Sequence, residues 1–195
     1  MKITIGSLAV ILLLCGHCTI AQHKYERKYR ILKSQFPKTA LELIDKKLEG
    51  AKKLKFYKET DSIKSSFEAR FKKDRLWYNA VFDENGKLGN MEILIKPIDI
   101  PSETFLAIER YVKKAFSKYR LKEIWQQYPT SSEETLENTL KNTFQNLIIP
   151  SITYKIMVAG KKSRSYLAHE IQFNAQGELL NIHRSLPPNY DHVLY

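Results

Sequence analysis

The residues that most often hold metal ions or transfer protons are few and scattered in this chain. Beyond the N-terminal segment the histidines are His23, His169, His183 and His192. None of them stands four positions from another, the spacing that places two imidazoles on one helix face of a zinc site. The alternating apolar stretch around His169 predicts a half-buried histidine on a strand. We therefore predict no metal site.

Motifs for covalent catalysis and phosphate binding are also incomplete. Residues 160–163 have the Gly-Lys-Lys-Ser order that ends a phosphate-binding loop, but the earlier glycine is missing and the flanking alternating segments are typical of a hairpin. Residues 83–86 lack the spaced carboxylates and the final glutamate of a calcium loop. No Gly-x-Ser-x-Gly sequence occurs. We predict a protein that is not an enzyme and needs no cofactor.

The most informative pattern is a turn that occurs twice. Residues 82–91 and 173–182 share Phe, Asx, Gly, Leu and Asn at identical places, 91 positions apart. In each copy an alternating apolar run enters a turn that ends in glycine, and a second such run leaves it. The Asx side chain supplies a hydrogen-bond acceptor, and glycine supplies the positive φ that the turn needs. Both segments are predicted to be β-hairpins.

A similar helix is predicted ahead of each hairpin. The segment 37–48 begins with proline and places Leu41, Ile44 and Leu48 on one apolar stripe. The segment 101–112 repeats this arrangement with a constant shift of 64 positions. Helix and hairpin therefore recur together, which indicates an internal duplication.

The chain is thus predicted to be α+β, with two tandem modules of one helix and a four-stranded antiparallel sheet, at residues 36–96 and 100–186. The predicted strands are 52–59, 63–72, 76–82 and 91–95 in the first module, and 119–128, 152–158, 164–173 and 178–185 in the second. The second module has a helical insert at about 129–150, with Ser132 as its N-cap and an apolar stripe that ends at Leu147. Residues 22–35 are predicted to form a solvated arm, and residues 187–195 a tail beyond the sheet.

The first residues are typical of a secretory signal peptide. Lys2 precedes an apolar run at 3–14, and small residues favour cleavage after Ala21, so residues 1–21 are assigned to the leader. The run is shorter than a membrane span requires. A lipid anchor at Cys15 or Cys18 and a retained N-terminal anchor are alternatives, although neither cysteine follows a small residue.

The predicted export and the net charge limit the compartment in which the protein works and the kinds of partner that it can bind. Leader removal takes away both cysteines, so neither disulfides nor thiolate metal ligands would stabilise the exported chain. The formal net charge of +11 falls to +10 with the loss of Lys2, and such a balance favours anionic partners in general. We predict a periplasmic or secreted protein with no transmembrane span after leader removal.

A helix that starts at proline, lysine-rich strands and a Phe-Asx-x-x-Gly-x-Leu turn together resemble the PepSY-like, β-lactamase-inhibitor-like (BLIP-like) family of exported bacterial proteins. Two tandem copies would cover residues 36–96 and 100–186. The resemblance implies an inhibitory or binding role. It carries over no contact residue, because the matching positions are turn and core positions, and the helical insert departs from the basic pattern.

The candidate partner-binding residues are three aromatic residues assigned to the open sheet face: Trp77, Trp125 and Tyr128. The sequence does not settle which face meets the helix, so burial of Trp77 in the core is the alternative. Tryptophan and tyrosine often anchor protein interfaces. We predict an exported non-enzymatic module that binds a protein or peptide, with inhibition of a secreted or periplasmic protein as one outcome. The alternative is an electrostatic binder or sensor of an anionic envelope surface. Basic stretches beside aromatics also suit nucleic acid, but an exported protein is not expected to meet it.

Overall fold

The computed structural model describes residues 27–60, 65–130, 135–162, 165–185 and 189–194. The predicted leader, its cleavage site and the predicted N-cap Ser132 lie outside these ranges.

Within those ranges the chain forms three α-helices and ten β-strands. The helices are α1 (Lys38–Lys47), α2 (Ser102–Ala115) and α3 (Leu136–Phe144). The strands are β1 (Arg27–Ile31), β2 (Lys52–Thr60), β3 (Ser65–Lys73), β4 (Leu76–Phe82), β5 (Leu88–Ile95), β6 (Lys118–Pro129), β7 (Thr153–Lys162), β8 (Ser165–Asn174), β9 (Leu179–Arg184) and β10 (Asn189–Leu194).

All ten strands belong to one sheet, in the order β10-β1-β2-β3-β4-β5-β6-β7-β8-β9. Neighbours from β1 to β9 are antiparallel, and β1 pairs with β10 in parallel. The strands that follow α1 and those that follow α2 lie side by side, joined by the β5–β6 ladder from Asn90↔Pro129 to Ile95↔Ile124. The α+β class is confirmed, and the two halves share a single continuous sheet.

The helices form where an apolar stripe lies between a suitable start and end. Pro37 and Pro101 occupy the N-cap positions of α1 and α2, and lysines in the last turn of each helix complement the negative end of its dipole. In the insert, the Thr135 hydroxyl accepts a hydrogen bond from the Asn138 amide and caps α3. Leu147, predicted on the helix stripe, lies beyond the end of α3 and is exposed.

The two repeated turns have matching hydrogen bonds. In the β4–β5 turn, Asp83 Oδ1 accepts from the amides of residues 85 and 87, each at 2.9 Å. In the β8–β9 turn, Asn174 Oδ1 accepts from the amides of residues 176 and 178, at 3.0 and 2.8 Å. Each turn also docks on a helix, because Thr39 donates its hydroxyl proton to the carbonyl of residue 85 and Thr104 donates to that of residue 175. An Asx side chain within the turn and a threonine hydroxyl from a helix therefore stabilise both turns.

Alanine at either turn glycine is expected to lower the free energy of unfolding by about 1–3 kcal/mol, because both glycines have a positive φ, +77° at Gly86 and +83° at Gly177. A Cβ at Gly86 would lie 2.1 Å from the Thr39 hydroxyl oxygen and 2.9 Å from the Pro37 Cβ, so Thr39 would have to give up its hydrogen bond to the carbonyl of residue 85. A Cβ at Gly177 would lie 2.6 Å from the Thr104 carbonyl oxygen, so both variants should lose stability. Gly89→Ala is the control, since its nearest neighbour would be 3.6 Å away. Equal stabilities of all three variants in urea denaturation would contradict this docking.

Both chain ends differ from the sequence-based prediction. The predicted solvated arm, 22–35, contains β1, and Ile31 in that strand is buried. The predicted tail, 187–195, contains β10, which adds to the sheet beside β1. The reason is that a parallel pair between the two ends of a chain is a nonlocal contact, for which local composition carries no signal.

The helices cover one face of the sheet, which is called the outer face below. The apolar core lies between the helices and this face. Ile44 of α1 is buried in this core. The Tyr111 ring of α2 meets Phe173 edge-on at 5.6 Å, and the Phe144 ring of α3 meets Tyr78 edge-on at 5.3 Å. Such pairs add to the stabilisation that burial of the rings provides.

The sheet is strongly curled. Only four residues separate Arg184 at the end of β9 from Asn189 at the start of β10, although these strands are the two outermost strands. A chain of this length spans at most about 18 Å, whereas ten strands laid flat would place the outer strands about 43 Å apart. On the face away from the helices, Lys28 of β1 reaches Glu68 of β3 and Lys155 of β7 reaches Glu92 of β5, each across an intervening strand, as side chains do on a concave face. The helix layer therefore lies on the convex side, and the concave side is called the inner face below.

Candidate functional site

The centre of the inner face is polar and buried, although none of the described helices covers it. Asn79 and Glu92 are each 1% exposed, and Glu68 is 2% exposed. Asn79 and Glu92 are direct cross-strand partners on β4 and β5. Their burial follows from the curl, because side chains from separated strands converge on the inside and exclude water.

The first half of a hydrogen-bonded chain runs from β1 to β5. The Lys28 ammonium donates to Glu68 Oε1 at 2.6 Å and lies 3.5 Å from Glu59. The Asn79 amide nitrogen donates to Glu68 Oε2 at 3.0 Å and to Glu92 Oε2 at 2.9 Å. One asparagine thus bridges two buried carboxylates whose charges would otherwise repel each other.

The second half runs from β5 to β8. Glu92 Oε1 accepts from Gln127 Nε2 at 2.7 Å and from the Lys155 ammonium at 2.6 Å. Gln127 Oε1 accepts in turn from Gln172 Nε2 at 2.9 Å. The connected side chains are called the inner polar network: Lys28, Glu68, Asn79, Glu92, Gln127, Lys155 and Gln172.

The electrostatics keep the inner polar network charged. Burial alone would lower the pKa of Lys28 and Lys155, but the surrounding carboxylates together outweigh burial and raise both pKa values, with Glu68 the main partner of Lys28 and Glu92 that of Lys155. Burial would raise the pKa of Glu68, but Lys28 and Lys155 together outweigh burial and lower that pKa. All four carboxylate oxygens of Glu68 and Glu92 accept hydrogen bonds. The hydrogen bonds of these two carboxylates therefore join neighbouring and next-neighbouring strands of the sheet.

Trp125 is an interior residue of the inner face. It is 3% exposed, and its indole N–H donates to Glu123 Oε2 at 2.9 Å. The guanidinium of Arg70 lies 4.8 Å from the Trp125 ring centre and 5.7 Å from that of Tyr57. Arg70 comes from β3 and Trp125 from β6, so this cation–π contact joins the two halves of the sheet.

An open cleft lies where β4 begins and β5 ends. It has a volume of about 540 Å³, within the size range of small-ligand sites. Its apolar wall includes Trp77, Leu94 and Leu121, which are half-buried. The register that pairs Tyr78 with Ile93 sets Trp77 beside Leu94 on the inner-face side of these strands. This feature is called the Trp77 cleft.

Exposed cations surround the Trp77 cleft. They are Arg75 before β4, Lys96 after β5 and Lys122 on β6. The carboxylate in the lining belongs to Glu123, which already accepts the Trp125 indole proton. An apolar wall with a cationic rim suits a ligand that has an apolar centre with negatively charged groups on either side of it.

The three candidate residues thus occupy different environments. Trp77 is half-buried and lines the cleft, whereas Trp125 is buried beneath Arg70. Tyr128 does not lie on the open face as predicted; it is on the outer face, 1% exposed, and donates its hydroxyl proton to the Leu147 carbonyl at 3.0 Å. Side chains three positions apart on a strand point to opposite faces, so Trp125 and Tyr128 cannot share one face of the sheet.

Sequence reasoning did not find the inner polar network. Its members alternate with apolar residues that face the helices, a pattern that also describes a strand with a solvated face. His169, predicted to be half-buried, is 6% exposed and packs 4.8 Å from the Phe116 ring on the outer face. Within the described ranges, no helix is long and apolar enough to cross a membrane.

Comparison with solved structures identifies the architecture as one found in Bacteroides proteins. The chain is similar to a DUF2874 family protein from Bacteroides ovatus, with a TM-score of 0.50, 11% identity, and coverage of 76% of this chain and 87% of that chain. It is also similar to a candidate periplasmic protein from Bacteroides eggerthii, with a TM-score of 0.50, 14% identity, and coverage of 76% and 88%.

A BLIP-like protein from Bacteroides fragilis shows a TM-score of 0.47 and 13% identity, with coverage of 76% of this chain and 86% of that chain. No protein-family model and no curated protein sequence matches this chain. At these identities the likeness to the Bacteroides ovatus and Bacteroides eggerthii proteins shows the fold alone.

Proposed function

We propose that this chain is an exported, non-enzymatic binding protein that holds a protein or peptide partner in the Trp77 cleft. The observation that carries the proposal is the cleft itself, an open, largely apolar recess beside an indole that the fold does not bury completely. The buried carboxylates of the inner polar network are saturated with hydrogen bonds, which is consistent with a structural role. Inhibition of the bound protein is one result of such binding.

We place this protein in the periplasm. The leader pattern at residues 1–21 supports export, and the similar Bacteroides eggerthii protein is named as a candidate periplasmic protein. The matching hydrogen bonds of the turns after Phe82 and Phe173 support two tandem PepSY-like modules fused into one sheet. The helix α3 of the insert docks on the outer face and leaves the Trp77 cleft open.

The test is a comparison of two variants in affinity capture from an envelope extract of the producing organism. Trp77→Ala is expected to weaken capture of one stoichiometric protein about 30-fold, since an anchoring tryptophan typically contributes at least about 2 kcal/mol to binding. Leu106→Ala is the matched control, because Leu106 is 56% exposed on α2 and faces away from the inner face. Titration of the captured protein, once purified, gives both dissociation constants.

Two results would contradict this function. The first is that no protein is captured in stoichiometric amount. The second is that Trp77→Ala and Leu106→Ala retain the same protein equally well. Circular dichroism of both variants establishes that each is folded.

The alternative is electrostatic binding to an anionic envelope surface, favoured by the exposed cations at Arg75, Lys96 and Lys122. Salt separates the two functions. Binding through exposed charges should weaken greatly between low and moderate ionic strength, whereas binding anchored by Trp77 should largely persist.

A further inference from the structure

The rim of the Trp77 cleft is cationic on several sides. Arg75, Lys96 and Lys122 come from three separate segments and are all exposed. Lys72 adds a fourth cation, because it pairs directly with Trp77 across the β3–β4 ladder. Among the described residues, none of these four forms an ion pair within 4.0 Å. Their charges are therefore available to a ligand.

Two of the three nearby carboxylates accept hydrogen bonds, and the third, Asp74, is exposed beside Arg75. Glu123 Oε2 accepts the Trp125 indole proton at 2.9 Å. Asp99 Oδ2 accepts from the Lys96 amide at 2.8 Å. These hydrogen bonds hold the two carboxylates in place and leave the rim cations facing the opening. The local field at the cleft therefore attracts negative charge.

The apolar surface continues beyond the recess. Leu76, which lines the cleft, is 43% exposed, and Ile98, beside the lining residue Pro97, is 86% exposed. Exposed apolar groups next to a recess with an indole wall commonly mark an interaction site. A matching ligand must present apolar side chains at its centre and negative charge around them.

We propose that the Trp77 cleft binds an acidic segment of a protein, with an apolar side chain against Trp77 and flanking carboxylates at the rim cations. This inference rests on the proposed function and specifies the chemistry of the partner. A polyanion such as nucleic acid fits less well, because one of its closely spaced phosphates would lie against Glu123, whereas a peptide can place its apolar side chain there. A planar lipid surface reaches the rim, but it cannot enter the recess.

The probe is a set of paired twelve-residue peptides with a central Phe or Leu, in which one member has flanking Glu residues and the other has Gln at the same positions. Fluorescence anisotropy of labelled peptides on the purified protein gives both affinities. We expect the acidic member to bind about tenfold more tightly than its neutral partner, since each exposed charge pair contributes about 0.2–1 kcal/mol.

The variant Lys96→Glu with Lys122→Glu should remove this preference for the acidic member. The matched control is Lys46→Glu with Lys114→Glu, which makes the same change in net charge at exposed positions on α1 and α2. The control should keep the preference, because its charges lie on the outer side.

Two outcomes would overturn the inference: equal affinity of acidic and neutral peptides, or binding of single-stranded DNA or anionic vesicles that depends on Trp77 and exceeds the peptide binding. The proposed function would survive if Trp77→Ala still released a captured protein while the double Lys→Glu variant retained it. That pattern would mean that the partner is real but not acidic. The two proposals therefore fail separately.

Discussion

Lys155→Met is expected to lower the free energy of unfolding by about 3–5 kcal/mol, the usual result of removing one partner from a buried ion pair. The ammonium of Lys155 lies 2.6 Å from Glu92 Oε1, and the Glu92 side chain is 1% exposed. Without that cation, Glu92 would keep its hydrogen bonds to Gln127 and Asn79 but would be a buried charge without a counterion. Urea denaturation followed by circular dichroism measures the loss.

Two further variants separate this effect from the loss of a lysine as such. Lys46→Met removes an exposed lysine from α1 and should change stability by less than about 0.5 kcal/mol. Adding Glu92→Gln to Lys155→Met removes the unpaired charge and should recover part of the stability, so the two substitutions will not be additive. Strict additivity would show that the two side chains do not interact as described.

Tyr78→Ala is expected to cost about 3–5 kcal/mol, as truncation of a large buried aromatic residue usually does. Tyr78 is 1% exposed and joins two structural elements through its ring. It stacks on Phe71 of β3 at 5.5 Å and meets Phe144 of α3 edge-on at 5.3 Å. The substitution should therefore also loosen α3, and limited proteolysis should cut the region of residues 136–144 sooner.

Tyr78→Phe is the control for this position, because it keeps both ring contacts and should cost less than about 1.5 kcal/mol. If the two variants lost similar amounts, the hydroxyl group would be responsible instead of the ring. If Tyr78→Ala left proteolysis within α3 unchanged, Phe144 would not be the contact that holds the insert helix on the sheet.

Local pattern was sufficient to predict the helices and the strands β2 to β9, but not the two end strands β1 and β10. The stripe through Ile44 and its repeat through Ile108 predicted both tandem helices, and the Phe-Asx-x-x-Gly turns predicted both hairpins. These features depend on residues close together in the chain, where periodicity and turn chemistry act directly. The strand β4 is observed at the predicted residues, Leu76–Phe82, whereas β5 begins three residues earlier and β7 ends four residues later than predicted.

The composition of the candidate site was only partly accessible from the sequence. Residue type indicated Trp77 as an anchor, and the structure places it in a cleft. The cations at Arg75, Lys96 and Lys122 come from three segments, so their convergence depends on strand register and curvature, which no local pattern encodes. Tyr128 differs from these cations, because the alternation along β6 by itself puts Tyr128 and Trp125 on opposite faces.

By itself, the sequence determined the helices, the turns and the strands β2 to β9, because those choices depend on neighbours within a few positions. Only the tertiary structure decided that both halves share one sheet, that the chain ends pair as β1 and β10, and that Lys28, Glu68, Glu92 and Lys155 are buried together. The physical reason is the curl of the sheet. Because the sheet is curved, a face that the alternating pattern marks as polar becomes part of the interior. Charged side chains from separate strands then pair with one another there.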